Sequence, residues 1–323
     1  MVELAVARVC LGQFPTPLHR SVELGDLCGV DELWIKRDDL TGFSWGGNKV
    51  RAAEYLLGDA LAKHATEIIV SGGPSSNFTA IMAAAARSRG LAIHQISYGD
   101  EPSSPVAALA AGRRSGALVT FTGSSDRSLM DSVGNSLTLD RARDGVIAYR
   151  VPRGGATEVG ALGFVAAAFE LINQLDRCEV EPACIVIPLG SGGSTAGLVA
   201  GLAIADKPWP VVAVSVSRAP EDIDEQIIET ATRCAASIGV TLAPDECASR
   251  LTIHDARGAG FGQLDATDVR VAERVASATG LIIDPTYNAK TLRWMADAQL
   301  SSPVVYWHTG GALGAVDQLN PGC

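Results

Sequence analysis

The strongest constraint on this chain is an alternation. Short apolar runs with strand character are separated by helix-length segments, and many of the joints are turns of Gly and Ser. Residues 67–71 (EIIVS) read as a strand, 78–89 as a helix and 91–97 as the next strand, a βαβ unit with short connections. A helix over 51–63 precedes it. Further strands are predicted at 118–122, 146–151, 185–189, 211–217 and 304–307, and helices at 161–175, 195–204, 223–238, 266–278 and 291–300. Such an order calls for parallel strands, because each crossover needs a helix-sized path back to the same edge. The prediction is an α/β protein with helices covering its sheets. A chain of 323 residues, 47% of them hydrophobic, has material for a large core or for two lobes with a cleft between them.

Composition narrows the partners. A net charge of −10 argues against nucleic acid and against an anionic membrane surface, while leaving any single pocket free to be basic. The apolar stretches are interrupted by charge, Gly or Pro before bilayer-spanning length, and residues 1–10 lack the basic stretch and long apolar run of a leader. A cytoplasmic location is therefore expected. Seven cysteines form no close pair of metal-ligand type, and five histidines are scattered, so no metal site is expected.

Ligands in parallel sheets bind where strands end and helices begin. Four turns occupy such places: SWGGNK at 44–49, SGGPSSN at 71–77, PLGSGGST at 188–195 and HTGG at 308–311. In the third, Gly190, Gly192 and Gly193 let the backbone turn tightly, the helix start is positive, and Ser191, Ser194 and Thr195 add hydroxyls, which together make a phosphate cradle. A flexible turn is the plainer reading. The Lys of a nucleotide P-loop is missing, so phosphate is inferred and a nucleotide is not. Lys49 follows two glycines that leave room for a flat ring, with Phe43 and Trp45 nearby to exclude water. Desolvation lowers a lysine's pKa, and a neutral amine can join an aldehyde covalently. An aldehyde cofactor with a phosphate at its other end would satisfy both turns. Ser75, Ser76 and Asn77 stand at a helix start, where they can cap the helix or hold a substrate carboxylate. Tyr287, Tyr306 and His308 lie near other strand or loop ends, where packing is the commoner duty.

This combination resembles the 1-aminocyclopropane-1-carboxylate deaminase and D-cysteine desulfhydrase family, within the tryptophan-synthase-β-like (fold type II) pyridoxal 5′-phosphate enzymes. The resemblance rests on IKRDDLTGFSWGGNKVRAAEYL at 35–56, SGGPSSNFT at 71–79, PRGGATEVGALGF at 152–164, PLGSGGSTAGLVAGL at 188–202, DPTYNAK at 284–290 and HTGG at 308–311, in the family's order. It implies a two-lobed α/β homodimer, each lobe a mostly parallel sheet covered by helices. The larger lobe would take 1–48 plus 155–323, and a smaller inserted lobe 49–154. It implies pyridoxal phosphate on Lys49, Asn77 at the ring oxygen, Gly190, Ser191, Gly192, Gly193 and Ser194 at the phosphate, and Thr309 near the pyridine nitrogen. Ser76 matches an active-site serine, and Tyr287 and Tyr306 match tyrosines of the substrate side. The family's Gln-Ser-Asn-Gln is replaced here by Ser75-Ser76-Asn77-Phe78, which removes a long amide at 75.

The expected reaction is loss of ammonia from a small amino acid, with Lys49 as the base at Cα, and Ser75, Ser76, Asn77 and Tyr287 around the substrate. D-cysteine desulfhydrase-like elimination stands first. Ring opening of aminocyclopropane carboxylate, β-replacement, and a non-catalytic phosphate-ligand binding protein are the alternatives.

Overall fold

The computed structural model describes residues 5–258, 260, 262–263 and 265–319. In chain order the first elements are β1 (Leu18–Arg20), α1 (Val22–Cys28), β2 (Leu33–Arg37), α2 (Lys49–Ala62), β3 (Glu67–Ser71) and α3 (Asn77–Ser88). There follow β4 (Ala92–Ser97), α4 (Ala107–Arg114), β5 (Leu118–Phe121), α5 (Leu129–Arg143), β6 (Ala148–Val151) and α6 (Glu158–Cys178). Then come β7 (Cys184–Leu189), α7 (Gly193–Ile204), β8 (Val211–Ser215), α8 (Asp224–Ser237), α9 (Pro244–Ala248) and β9 (Leu251–Asp255). The last are α10 (Ala266–Thr279), α11 (Asn288–Asp297), β10 (Val304–His308) and α12 (Ala312–Leu319).

The strands form two sheets. The larger runs β1-β2-β10-β7-β8-β9, and the smaller runs β5-β4-β3-β6. Every pairing is parallel except β1 with β2 at the edge. The chain leaves the larger sheet after β2, builds all of the smaller one, and returns at β7. This is a two-lobed, helix-covered α/β architecture.

Alternation along β10 divides the larger lobe's core in two. Val305 and Trp307 pack with α6, α7 and α8, while Val304 and Tyr306 pack on the opposite face with α1 and α11. The smaller lobe closes over Ile68, Val70, Ile81 and Met82, with Leu56 and Leu57 of α2 in the same cluster. Helix α6 is long and apolar enough to cross a membrane, but 67% of its apolar window is buried inside the protein, the pattern of a core helix.

Buried charge fixes the start of α2. Arg51 donates to Asp38 Oδ1 at 2.8 Å and to Glu170 Oε1 at 2.9 Å, Thr16 donates its hydroxyl to Asp38 at 2.9 Å, and Lys36 pairs with Glu170. The network ties α2 to β2 and α6 two residues beyond Lys49. Its members are almost wholly buried, so each charge depends on the others for solvation.

Candidate active site

The C-terminal ends of both sheets converge on one cavity of about 1120 Å³, counting the solvent at its mouth. Lys49 lines it as the first residue of α2. The loop before it is held backbone to backbone. Gly47 (φ 97°) and Gly310 (φ 93°) face each other so closely that a Cβ on Gly310 would stand 2.6 Å from the Gly47 Cα. Asn48 N–H donates to the Thr309 carbonyl at 3.0 Å, and Asn48 Nδ2 donates to Ser194 Oγ at 3.0 Å. The lysine loop is thereby fastened to two of the other three turns.

No carboxylate pairs with the Lys49 amine among the described residues. Its side chain faces the cavity and keeps some accessible surface, but protein surrounds the amine, and that desolvation lowers its pKa to about 8. At pH 7 roughly a tenth of such amines are neutral, against fewer than about one in a thousand for an ordinary lysine. The expected screen is different from the observed one. Trp45 is 49% exposed and does not line the cavity, and Phe43 packs against the smaller lobe's core. The aromatic side chains that line the cavity with Lys49 are instead Phe78, Tyr98 and Tyr287.

The turn from β7 into α7 forms the opposite end. Gly192 takes a left-handed φ of 93° at the start of α7, where the first N–H groups of a helix have no intrahelical acceptor. Ser191 Oγ is buried without a hydrogen-bond partner, and a Cβ on the neighbouring Gly154 would collide with it. Ser217 Oγ donates to the Gly190 carbonyl at 3.1 Å. A cradle of glycines, an unsatisfied hydroxyl and a helix N-terminus suits a phosphate. Gly190, Ser191, Gly192 and Ser194 line the cavity with Lys49, and Gly193 lies against Ala156 behind them.

The N-terminus of α3 supplies a second anion-friendly wall. Ser76 is its N-cap, with Oγ accepting from Thr79 N–H at 3.3 Å, so this hydroxyl has a structural duty whatever else it does. Ser75, Ser76 and Asn77 all line the cavity. Thr309 and Tyr287 complete the wall on the larger lobe.

Tyr287 is aimed by Asp284, whose carboxylate accepts from Tyr287 N–H at 2.7 Å and from Asn288 Nδ2 at 2.6 Å. Burial first, and the Asp284 charge second, raise the Tyr287 hydroxyl pKa, so it keeps its proton at neutral pH. Tyr306 does not line this cavity. It is fully buried, and its hydroxyl donates to Asn288 Oδ1 at 2.6 Å. Strand alternation turns it to the α1 and α11 face, so the structure does not bring Tyr306, expected with Tyr287 on the substrate side, to the cavity wall. His308 is likewise buried away from the cavity, its Nδ1 accepting from Gly310 N–H at 3.2 Å.

Sequence reasoning missed Tyr98, Arg127, Arg153, Arg218 and Asp284, all of which line the cavity. Tyr98, Arg153 and Arg218 stand just beyond the ends of β4, β6 and β8. The rule that parallel strands present ligands at their C-terminal ends was the signal available for them. No group of His, Cys, Asp and Glu side chains among the described residues could hold a metal ion.

These features define an α/β protein with a cradle suited to phosphate at one end of a cleft and a desolvated lysine at the other. Residues 9–310 match the family of pyridoxal-phosphate dependent enzymes, and the chain belongs to it. Over 312 residues it is 30% identical to a putative 1-aminocyclopropane-1-carboxylate deaminase of Pyrococcus abyssi, covering 95% of this chain and 92% of that one. It is 31% identical over 329 residues to a bifunctional D-cysteine desulfhydrase/1-aminocyclopropane-1-carboxylate deaminase of Arabidopsis thaliana, covering 96% and 79%. A D-cysteine desulfhydrase of Salmonella schwarzengrund is 30% identical over 315 residues, covering 92% of each. The crystal structure of an ACC deaminase homologue superposes with a TM-score of 0.88 at 29% identity, covering 98% of this chain and 96% of that one. The cofactor is pyridoxal 5′-phosphate, and the protein is a lyase or deaminase of small amino acids within the group these relatives define.

Proposed function

We propose that this enzyme deaminates a small α-amino acid to a 2-oxo acid and ammonia, with Lys49 as both cofactor anchor and base. The carrying observation is the geometry around that lysine: a desolvated, unpaired amine in the same cavity as a glycine cradle for phosphate and a capped helix N-terminus for a carboxylate. Bound pyridoxal phosphate supplies an electron sink for the charge left at Cα. The turn at 190–194 would hold the phosphate, with Asn77 toward the ring oxygen and Thr309 toward the ring nitrogen. Ser75, Ser76 and Asn77 bind the substrate carboxylate beside the α3 N-terminus. The Lys49 amine would take the Cα proton, a role that needs an amine neutral near working pH. Ser76 and Tyr287 are the hydroxyls placed to give or take a proton on the carbon side. Tyr306 acts only through Asn288, which also holds the Gly310 carbonyl at 2.8 Å.

From sequence, D-cysteine elimination stands first. The names of the relatives and the likeness to the ACC deaminase homologue favour ring opening instead. D-cysteine elimination is the second reading, supported by the Salmonella relative. Ring opening converts aminocyclopropane carboxylate and water to a four-carbon 2-oxo acid and ammonia, whereas elimination converts D-cysteine and water to a three-carbon 2-oxo acid, ammonia and hydrogen sulfide. Mass spectrometry of the products from both substrates, with serine and β-chloroalanine alongside, separates the two. Release of no oxo acid from any of them by cofactor-loaded protein would sink the deaminase reading.

A further inference from the structure

The cavity holds more positive charge than a phosphate turn and a carboxylate site require. Arg127, Arg153 and Arg218 all line it with Lys49, in a chain whose net charge is −10. Asp284 is the carboxylate on that lining, and its oxygens already accept from Tyr287 N–H and from the Asn288 N–H and Nδ2. Arg218 is bound to the phosphate turn, donating to the Ser191 carbonyl at 3.4 Å, and it has a second partner in Gln226 at 2.8 Å. Arg153 differs. It is half-buried just past β6 and makes no hydrogen bond or ion pair among the described residues. Arg127 lies 5.1 Å from the centre of the Tyr98 ring. Arg127 and Arg153 both lie within electrostatic reach of the Tyr287 hydroxyl, and Arg153 also lies within reach of Arg218, where its neighbour Gly154 packs against Ser191. A guanidinium that faces the cavity with no protein partner is available to an anion.

We propose that Arg153, assisted by Arg127, forms a subsite for a second anionic group, so that the preferred substrate is an α-amino acid with a carboxylate, sulfonate or phosphate on its side chain. The starts of α7 and α3 offer places for the cofactor phosphate and the substrate α-carboxylate, with Arg218 beside the first, and the Arg153 charge is in excess of these. This proposal rests on the deaminase reading only for the site being a substrate site.

The test titrates cofactor-loaded enzyme with cysteate, aspartate and O-phosphoserine, and with serine, cysteine and aminocyclopropane carboxylate. Half-saturation is read from the change in cofactor absorbance, and oxo-acid formation is measured separately. At least one anionic amino acid is expected to half-saturate at a concentration about tenfold or more below its neutral counterparts. Arg153→Gln is expected to remove that preference, a loss of about 10- to 100-fold for a charge-assisted contact, while leaving serine within about threefold. Cofactor content should be unchanged, and Arg153→Lys should restore part of the preference. Equal half-saturation for charged and neutral side chains would overturn the proposal. So would a variant that loses cofactor and weakens every substrate alike, since Arg153 would then serve the cofactor phosphate. Turnover of neutral amino acids with no anion preference fails the subsite and keeps the deaminase reading. Tight cysteate binding with no oxo acid from any substrate does the reverse.

Discussion

At the scale of single residues, Lys49 carries the most chemistry and its environment dictates a pH dependence. Burial favours the neutral amine and lowers its pKa to about 8. Capture of an aldehyde requires the neutral form, which grows as pH rises. The rate at which cofactor-free protein takes up pyridoxal phosphate, followed by absorbance, is therefore expected to climb between about pH 6 and 9 and level off above. A midpoint near 10 would mean that the amine is solvated like a surface lysine. Lys49→Ala should abolish covalent uptake and lower turnover by at least about 10³-fold. A second residue-scale expectation concerns Gly154. The collision of any Cβ there with Ser191 Oγ, and its left-handed φ of 68°, make Gly154→Ala a test of the phosphate cradle. Equilibrium dialysis should give a cofactor Kd raised about tenfold or more, with the far-ultraviolet circular dichroism spectrum unchanged. An unaltered Kd would argue that the cradle lies elsewhere.

At the scale of elements, what could be read from sequence follows how locally each element announces itself. Strands β3, β7 and β8 are continuous apolar runs buried on both faces, and a parallel sheet leaves no other place for EIIVS, CIVIPL or VVAVS. The short β1 and the helices α1, α4, α5, α9 and α12 escaped, as did β2 and β9, and the two last show why. β9 (LTIHD) is an edge strand with no buried run. β2 (LWIKR) contains Lys36, a buried charge that looks like a surface residue until Glu170, 134 residues away, is brought beside it. The same network fixes the start of α2. Burial alone would raise the Asp38 and Glu170 carboxyl pKa values, but the Arg51 guanidinium and Lys36 more than offset it and hold both below the usual range. Carboxyls depressed in the native state stabilise it above their unfolded pKa, near 4, and that stability is lost as pH falls through the lower native values. Glu170→Ala should cost about 3–5 kcal/mol in urea unfolding at pH 7, because it leaves Lys36 buried without its carboxylate partner and Arg51 with Asp38 alone. The deficit relative to the parent should narrow as pH falls below about 4. A cost under about 1 kcal/mol at pH 7 would show that the network is dispensable for positioning α2.

At the scale of the whole molecule, the site exists because two sheets point their C-terminal ends at one space. The four glycine turns could be read individually, since each is a local pattern of small residues after a strand. Their convergence could not, because Lys49, Gly190 and Thr309 come together only through the order β2-β10-β7 in the larger sheet and the insertion of the smaller one between β2 and β7. The arginines were hidden for the same reason: Arg127 and Arg153 belong to loops of the smaller sheet, and Arg218 to a loop of the larger. A cofactor held as proposed, at Lys49 of α2 and at the turn before α7, would touch elements of both lobes and would bind only when both are folded. Binding to the native state alone stabilises it by about 2.7 kcal/mol when free ligand is a hundred times Kd. Pyridoxal phosphate should accordingly raise the melting temperature of the cofactor-free chain, and the rise should grow with its concentration. It should also slow proteolysis in both the 67–151 segment and the remainder, read by mass spectrometry of the fragments. Protection confined to one lobe would mean that the phosphate turn and Lys49 do not share a ligand, and the convergence described here would lose its functional meaning.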